Sequence, residues 1–299
     1  MRKFIDKVFR ILPDTLYIRI FYLFHMKRMP NLRNPQTFNE KLQWLKLHDR
    51  KPVYSIMVDK LAVKEWLSKF EWGGVLIPTI KVYKNVDDIK IEELPKQFVL
   101  KANHDSGSVV VCRDKNIFDF EKASIKLKNK LNKSFYWYGR EWPYKNVKPC
   151  VLAEQYMEED NLDPKNKDIE GLIDYKFFCF NGTPKFVYVS KGLENHSTAG
   201  ISFYDLDGNE MPFYRSDFAR LGPIHFPDNF KEMTKCAGVI AEKTNSPFVR
   251  VDLYSINGQI YFSEITFHPA SGVLPFVPKE WDRKLGDLID LSSVNNNNC

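Results

Sequence analysis

The chain has 299 residues, of which 43% are hydrophobic and 27% are charged, and its formal net charge is +6. This composition is ordinary for a folded soluble protein with a substantial core. The charge suits anionic ligands such as nucleotides, phospholipid head groups or uronic-acid polymers, but it is too mild and dispersed to argue nucleic-acid binding. The five Cys are odd in number and lack CxxC spacing, which argues against a disulfide framework and a zinc site.

Residues 1–30 predict one or two amphipathic helices with Lys and Arg on the polar side. The stretch lacks an uninterrupted apolar region and a small-residue cleavage site, so we do not predict a signal peptide. Residues 16–24 are too few to span a membrane and include Arg19. The segment either packs on the domain or makes a peripheral contact with an anionic membrane surface. We expect a cytoplasmic protein, at the inner face of the membrane if the second alternative holds.

Two helices and three strands are predicted next, over 39–47, after Asp59, and over 77–82, 97–101 and 109–112. Lys101 ends a strand, and a loop of small polar residues, 102–108, follows at once. Backbone N–H groups in such a loop can wrap phosphate oxygens, and a strand-borne Lys can supply the countercharge. The Lys precedes the loop, so this is not a Walker P-loop. A plain hairpin loop is the alternative, and spacing alone leaves both open.

The middle of the chain carries an aromatic run and a hairpin. Six aromatic residues crowd into 135–144 around Arg140 and Glu141, where exposed rings could stack on sugars and buried rings would form core beneath a loop. Residues 158–170 predict a mobile loop. A hairpin over 174–189 follows, in which Lys176 alternates with Asp174.

Near the C-terminus, strand patterns over 248–254 and 261–266 are joined by a turn that contains Gly. Alternation places Arg250 and Asp252 on one face, and the register decides whether Glu264 joins them.

The length of this turn is the open question. A two-residue Asn257–Gly258 turn sets Asp252 opposite Ser263 and turns Glu264 to the far face. A three-residue loop, 256–258, sets Arg250 opposite Glu264. We predict the three-residue loop, because it gathers two carboxylates and a guanidinium into an oxygen-rich site suited to Mg²⁺. An ordinary cross-strand Arg–Glu pair is the alternative.

These pieces, in this order, resemble the ATP-grasp superfamily, and more closely its branch named for teichuronopeptide biosynthesis, found in bacterial surface-polysaccharide gene clusters. The matching phrases span roughly 31–291 and are FNEKLQWLKL, VDK, LPKQFVLKANHDSGS, REWPYKNV, DYKFFCFNG, FVRVDLY and EITFHPASG. The resemblance implies an α+β ATP-grasp fold in which two α+β subdomains clasp ATP. The implied parts are a helical N-terminal segment (1–58), a subdomain with a phosphate-covering loop (59–153), a core subdomain with the metal site (154–291) and a disordered tail (292–299).

The resemblance also implies roles for residues of this sequence. Phosphate contacts are implied for Lys60, Lys101 and Lys176, beneath a covering loop that includes His104, Ser106, Gly107 and Ser108. The adenine-binding hinge is implied to be Glu154, Gln155, Tyr156 and Met157, with Glu158, Glu159 or Asp160 for the ribose. The Mg²⁺ ligands are implied to be Asp252, Glu264 and Thr266, and the catalytic groups Arg250, Lys176 and Lys191. Many relatives have Asn where this chain has Thr266.

The implied function is an ATP- and Mg²⁺-dependent carboxylate–amine ligase that works through an acyl-phosphate. It would attach an amino acid or amine to a uronic-acid-type carboxylate, on a small molecule or polysaccharide precursor. A glycosyltransferase or sugar-binding protein of the same pathway is one alternative, with 135–144 as its platform and Asp205-Leu206-Asp207 as a DxD candidate that reads more simply as a turn. An ATP-grasp kinase is the other.

Overall fold

The computed structural model describes residues 10–105, 107–159, 172–191 and 200–295. The predictions for Ser106, Asp160, most of the 158–170 loop and the last four residues fall outside these ranges. The α-helices are α1 (Asp14–Met26), α2 (Phe38–His48), α3 (Val53–Val58), α4 (Ala62–Leu67), α5 (Phe120–Leu131), α6 (Tyr136–Gly139), α7 (Phe230–Thr244), α8 (Glu280–Gly286) and α9 (Ser292–Asn295). None of the described helices combines the length and apolar character that a membrane crossing requires.

The strands form one large sheet, one smaller sheet and one short pair. They are β1 (Val75–Leu76), β2 (Thr79–Tyr83), β3 (Phe98–Ala102), β4 (Val110–Cys112), β5 (Val151–Gln155), β6 (Asp174–Phe180), β7 (Thr183–Lys191), β8 (Gly200–Tyr204), β9 (Tyr214–Arg215), β10 (Ala219–Arg220), β11 (Phe248–Ile256), β12 (Gln259–Thr266) and β13 (Phe276–Val277). Most elements predicted from the sequence are confirmed, with ends that differ by a few residues.

The large sheet has the order β1-β12-β11-β6-β7-β8-β10. Its central strands are antiparallel, and β1 and β10 add to the edges in parallel. β6 is buried along nearly its whole length. A strand buried on both faces reads as a continuous apolar run, which explains the sequence FFCF in β6.

Helices cover one face of this sheet. α7 places Phe230, Met233, Ala237 and Ile240 in the core, because residues at three- and four-residue spacing share one side of a helix. They pack with α3, α4 and the apolar face of β11. The alternation of β11 therefore leaves its other side chains, Arg250 and Asp252 among them, to the opposite face of the sheet.

The opposite face is partly covered by aromatic rings and by α2. Phe38 opens α2 and packs edge-on against Phe248, with ring centroids 4.9 Å apart. α2 begins with a capping box, in which Thr37 and Glu40 satisfy each other's backbone N–H groups. Burial opposes ionisation of Glu40, but hydrogen bonds from Gln36, the Arg28 side chain and the backbone around them lower the pKa of Glu40. The FNEK phrase thus anchors the N-terminal segment.

The smaller sheet has the order β2-β5-β3-β4, and α5 covers one side of it. Leu127 of α5 is fully buried against strand residues such as Phe98 and Leu100. β5 ends at Gln155, two residues past the expected boundary at 153/154. The site described below lies where this sheet, the segment before it and the large sheet meet.

The structure differs from the predicted tail. A disordered segment was expected from 292, but Ser292–Asn295 form a helical turn. Val294 is buried in the cluster that also contains Leu285 and Ile289. Burial of this apolar side chain favours order up to that point, which the Asn-rich composition alone does not indicate.

Candidate active site

The hairpin of β11 and β12 contradicts the predicted turn length, but Asp252 and Glu264 still lie on one face of the sheet as predicted. The turn has two residues, Asn257 and Gly258, with the positive φ values of 51° and 76° that a type I′ turn requires. The predicted three-residue loop is therefore wrong. A β-bulge leaves Ser263 without a partner on β11, so that Asp252 stands opposite Glu264. The bulge, rather than the turn, brings the two carboxylates to one face.

Arg250 lies opposite Thr266 and not, as predicted, opposite Glu264. Its Nε and Nη2 donate to both carboxylate oxygens of Asp252, at 2.7 and 2.6 Å. Nη2 also donates to Glu264 Oε1 at 2.9 Å and to Thr266 Oγ1 at 3.0 Å. Burial disfavours the charged guanidinium, but Asp252 and Glu264 raise the pKa of Arg250 above its ordinary value. One cation therefore joins all three predicted metal ligands.

Lys176 brings β6 into the same network. It is paired with Asp252 in the sheet, and its Nζ donates to Asp252 Oδ2 at 2.9 Å. The same Nζ is ion-paired with Asp174 on its own strand. Burial raises the pKa of Asp174 against the lowering effect of Lys176. Asp174 is a site residue that we did not predict, although its alternation with Lys176 is visible in the sequence.

Lys60 links this network to the predicted phosphate-covering loop. Its Nζ lies 3.3 Å from Glu264 Oε2 and donates to the backbone carbonyl of Asp105 at 2.6 Å. Its backbone N–H donates to the carbonyl of Asn103 at 3.0 Å. Burial opposes ionisation of Glu264, but Lys60 and Arg250 hold the pKa of Glu264 well below its usual range. The loop is thus fastened at the edge of the carboxylate cluster.

Two predicted side chains of this loop face inward. His104 is buried, with Nε2 3.0 Å from the carbonyl of Lys133, and Ser108 Oγ accepts the backbone N–H of Ala102 at 2.9 Å. The Ser108 contact holds the loop's own shape, and the His104 contact joins the loop to the segment that follows α5. Gly107 has a φ of 82°, which suits a residue without a side chain. Among the described residues of this loop, the groups left for a ligand are therefore mainly backbone N–H groups.

Lys101 belongs to a second charged cluster, on the smaller sheet. Its Nζ lies 2.5 Å from Glu154 Oε2, and Lys64 Nζ lies 2.6 Å from Glu154 Oε1. Burial raises the pKa of Glu154, but the charges of Lys101 and Lys64 outweigh it and lower that pKa below its ordinary value. The side chain of Glu154 thus serves as counter-ion to a predicted phosphate contact. Lys64 carries no sequence signal that singled it out.

Replacing Glu154 by Gln should destabilise the protein by about 2–4 kcal/mol, because two largely buried lysines lose their counter-ion. Urea unfolding at neutral pH measures this difference. Since the pKa of Glu154 is lower in the folded state, its contribution is present above the unfolded pKa of about 4.3 and is lost as pH falls through the folded pKa. The gap between the two proteins should therefore close in acid.

The matched control is Glu93→Gln. Glu93 Oε2 lies 2.6 Å from Lys81 Nζ, but both side chains are more than 40% exposed. Solvent screens such a pair, so this substitution should change stability far less. Equal losses in the two variants would contradict the role assigned to Glu154.

The predicted adenine hinge begins with Glu154 and Gln155, the last two residues of β5. The backbone N–H of Gln155 donates to the carbonyl of Pro78 at 3.0 Å, so it is committed within the smaller sheet. Tyr156 and Met157, which follow β5, are half-buried. Of the acids considered for a ribose, Glu158 is exposed, and Glu159 Oε1 accepts the backbone N–H of Asn257 at 2.9 Å.

Lys191 lies at the end of β7, beside Ser190, which pairs with Asp174. It is 2% exposed, and burial lowers its pKa to about 8. It contacts neither Asp252 nor Glu264 in the part of the chain that the structure describes. Arg250 and Lys176 therefore lie in one network around Asp252, and Lys191 lies at the end of β7, outside that network.

A buried polar cluster adjoins the site and was missed by sequence analysis. Ser271 Oγ donates to Glu141 Oε1 at 2.5 Å, and Lys46 Nζ donates to the carbonyl of Ser271 at 2.7 Å. His268 Nδ1 lies 3.8 Å from Glu141 Oε2. Burial raises the pKa of Glu141, and Lys46, Ser271 and Arg250 act against it. The phrases FNEKLQWLKL, REWPYKNV and EITFHPASG contain these residues, and their positions far apart in the sequence gave no sign of contact.

Two rings of the aromatic run 135–144, Tyr136 and Trp137, lie against a buried cation. The guanidinium of Arg140 is 1% exposed and stacks over the rings of Trp137 and Tyr17, at 4.4 and 4.5 Å. Tyr136 is also buried, whereas Tyr138 is 59% exposed. The alternative in which these rings form core beneath a loop is thus the one that the structure favours.

The predicted metal ligands fit magnesium in their chemistry. Asp252 Oδ2, Glu264 Oε1 and Thr266 Oγ1 all converge on Arg250 Nη2, so they already present hard oxygen atoms to one cation. Within the described ranges, no set of three His, Cys, Asp or Glu side chains is arranged to hold a metal. A two-carboxylate site of this kind matches magnesium, which usually takes one or two carboxylates together with substrate phosphates.

Comparison with known families gives one match. The model of the family described as TupA-like ATPgrasp matches residues 40–290. That range contains the described carboxylates, the lysines around them and the loop fastened by Lys60. No curated protein matches the chain.

Several solved structures are similar at low identity. The D-alanine–D-alanine ligase from Bacillus anthracis is 17% identical over 81% of this chain and 69% of that chain, with a TM-score of 0.43. Its complex with ATP is 19% identical over 81% and 68%, with a TM-score of 0.45. An L-amino acid ligase from Bacillus licheniformis is 12% identical over 87% and 57%, also with a TM-score of 0.45.

Proposed function

The chain belongs to the TupA-like ATP-grasp family and is an ATP-grasp ligase, and we propose that it uses MgATP to join a uronic-acid-type carboxylate to an amine. The reaction would pass through an acyl-phosphate and serve the synthesis of a bacterial surface polysaccharide. The choice of carboxylate follows from the branch that the chain resembles. The choice of chemistry follows from the charges described above.

The observation that carries the proposal is a matched set of charges in one network, Asp174, Asp252 and Glu264 against Lys60, Lys176 and Arg250. Such a network is neutral by itself. Phosphate groups offer the cations a replacement for their carboxylate partners, and the carboxylates can then face a metal. Phosphoryl transfer needs this neutralisation and positioning more than it needs a covalent nucleophile.

Asp252 and Glu264 would hold Mg²⁺, with Thr266 Oγ1 as a further oxygen beside them. When bound, the ion supplies positive charge to the phosphate oxygens. This assignment rests on the convergence of the three oxygens on Arg250 and on their hard-donor chemistry.

The protein's own groups would position the reaction. Arg250 and Lys176 hold the transferred phosphoryl group while a carboxylate oxygen attacks its phosphorus and ADP leaves. The amine then attacks the acyl carbon, loses a proton, and inorganic phosphate leaves. The loop fastened by Lys60 would exclude water, which otherwise hydrolyses the acyl-phosphate.

Thermal melting tests the nucleotide site. MgATP at about 100 times its dissociation constant should stabilise the native protein by about 2.7 kcal/mol, a rise of several degrees in Tm. Asp252→Asn should lose most of this rise, because it removes one of the two carboxylates at the site while keeping the side chain's shape.

Asp217→Asn is the matched control. Asp217 accepts from Nε and Nη2 of Arg215 at 3.0 and 2.6 Å, the same Arg-x-Asp arrangement outside the site. Its melting should respond to MgATP as the wild type does. A shift with Mg²⁺ and a sugar nucleotide, and none with MgATP, would overturn the ligase and favour a glycosyltransferase.

A further inference from the structure

Helix α1 presents an apolar face to solvent. Ile18, Phe21 and Tyr22 are buried beneath the helix. Leu16, Leu23 and Phe24 are 45%, 42% and 67% exposed, and their spacing places them together on the outward side. Helices that pack on a domain normally turn charged or polar residues outward. An exposed apolar helix face therefore indicates an interaction surface.

The apolar character continues past both ends of α1. Ile11, before the helix, is 83% exposed, and Met29, after it, is 52% exposed. With these two, five large hydrophobic side chains within nineteen residues of sequence are more than 40% exposed.

Cations flank this face. A cleft of about 520 Å³ opens beside α1, and its lining includes Asp14, Arg19, Arg33 and Arg50. Arg50 Nη2 is held by Asp14 Oδ2 at 2.8 Å. Arg19 and Arg33 form no ion pair with any residue of the described ranges, so their charges remain for a ligand. Lys27, at the end of α1, is exposed as well.

We propose that Leu16, Leu23 and Phe24, with Arg19 and Arg33 beside them, form a surface that docks on an anionic lipid bilayer. We call these five residues the α1 surface. Apolar side chains at this exposure would enter the boundary between head groups and acyl chains, as in other interfacial amphipathic helices. The two guanidinium groups would meet lipid phosphates, which Arg binds well.

Charge complementarity favours a bilayer over a second copy of the chain. In a two-fold symmetric dimer the same patch lines both sides of the interface, so Arg19 and Arg33 of both copies would bring four guanidinium groups into it. Like charges brought together in this way disfavour association. An anionic bilayer supplies both the apolar layer and the negative charge. This proposal is independent of the ATP site and of the ligase reaction.

Co-sedimentation of the full chain with vesicles tests it. Vesicles of phosphatidylcholine with an equal part of phosphatidylglycerol should bind the wild type, and pure phosphatidylcholine vesicles should bind it far more weakly. Leu23→Ser with Phe24→Ser should weaken binding to the anionic vesicles at least about tenfold, because apolar area no longer leaves water. Arg19→Glu with Arg33→Glu should weaken it at least about tenfold through charge.

Two matched double variants serve as controls. Ile117→Ser with Ile125→Ser removes exposed side chains, 84% and 57% accessible, from the smaller-sheet side of the molecule. Lys235→Glu with Lys243→Glu makes the same net charge change on exposed positions of α7. Both should bind like the wild type, and their melting temperatures report whether all four double variants are folded.

The proposal would be overturned by wild-type protein that stays in the supernatant with anionic vesicles at low salt. It would also be overturned if the controls lose binding as strongly as the two variants of the α1 surface, because that result would indicate non-specific attraction. A wild type that is dimeric by gel filtration with light scattering, and a Leu23→Ser, Phe24→Ser variant that is monomeric, would assign the face to a second copy instead.

Discussion

Replacing Glu264 by Gln should reduce ADP formation by about 10³-fold at saturating MgATP while the fold is retained. Glu264 contacts Arg250 through one oxygen and Lys60 through the other. Gln keeps the size and one oxygen but removes the charge that both cations and a metal require. Because 24% of this side chain is exposed, the substitution should disturb folding less than one at fully buried Asp252.

The measurement is ADP release with glucuronate or galacturonate and a panel of amino acids, together with a melting curve without ligand. The control is Glu210→Gln, since Glu210 is ion-paired with Arg220 at 2.5 Å on an exposed surface. It should leave ADP release unchanged. A Glu264→Gln enzyme as active as the wild type would remove this residue from the metal site.

Replacing Arg250 by Lys should reduce ADP formation by about 10²-fold, even though the charge is kept. Arg250 reaches Asp252 through two nitrogens and Glu264 through one of them. A lysine amine is a single point and cannot reproduce this planar, forked geometry. The loss should appear in kcat at saturating ATP, because we place Arg250 at the transferred phosphoryl group.

Arg215→Lys is the control for this variant. Arg215 binds Asp217 two residues away with the same forked geometry, yet it lies outside the site. The substitution should leave ADP release unchanged and show how much of any melting change comes from losing an Arg-x-Asp fork. An Arg250→Lys enzyme that kept full kcat would contradict the proposed role.

The strand alternation correctly predicted which charged side chains share a face of the sheet. Residues two apart on a strand share a face by geometry alone, so Arg250 and Asp252 had to lie together once β11 formed. The same rule put Lys176 beside Asp174 on β6. These are local consequences of the backbone, and they depend on no partner.

The register between strands was not predictable in the same way. We expected the turn to set it, but the type I′ turn at Asn257 and Gly258 alone would place Asp252 opposite Ser263. The bulge at Ser263 moves Glu264 into that place. A bulge depends on how both strands pair with their neighbours in the sheet, and no residue type near Ser263 marks it.

By itself, the sequence determined the α+β class, most of the elements, and the side of β11 on which the charges lie, because these follow from periodicity and local chemistry. Its ordered phrases also indicated the family. Only the tertiary structure decided which distant residues meet, such as Lys60 with Glu264 and Glu141 with Ser271. Such contacts arise from the packing of elements far apart in the chain, and packing leaves no period in the sequence.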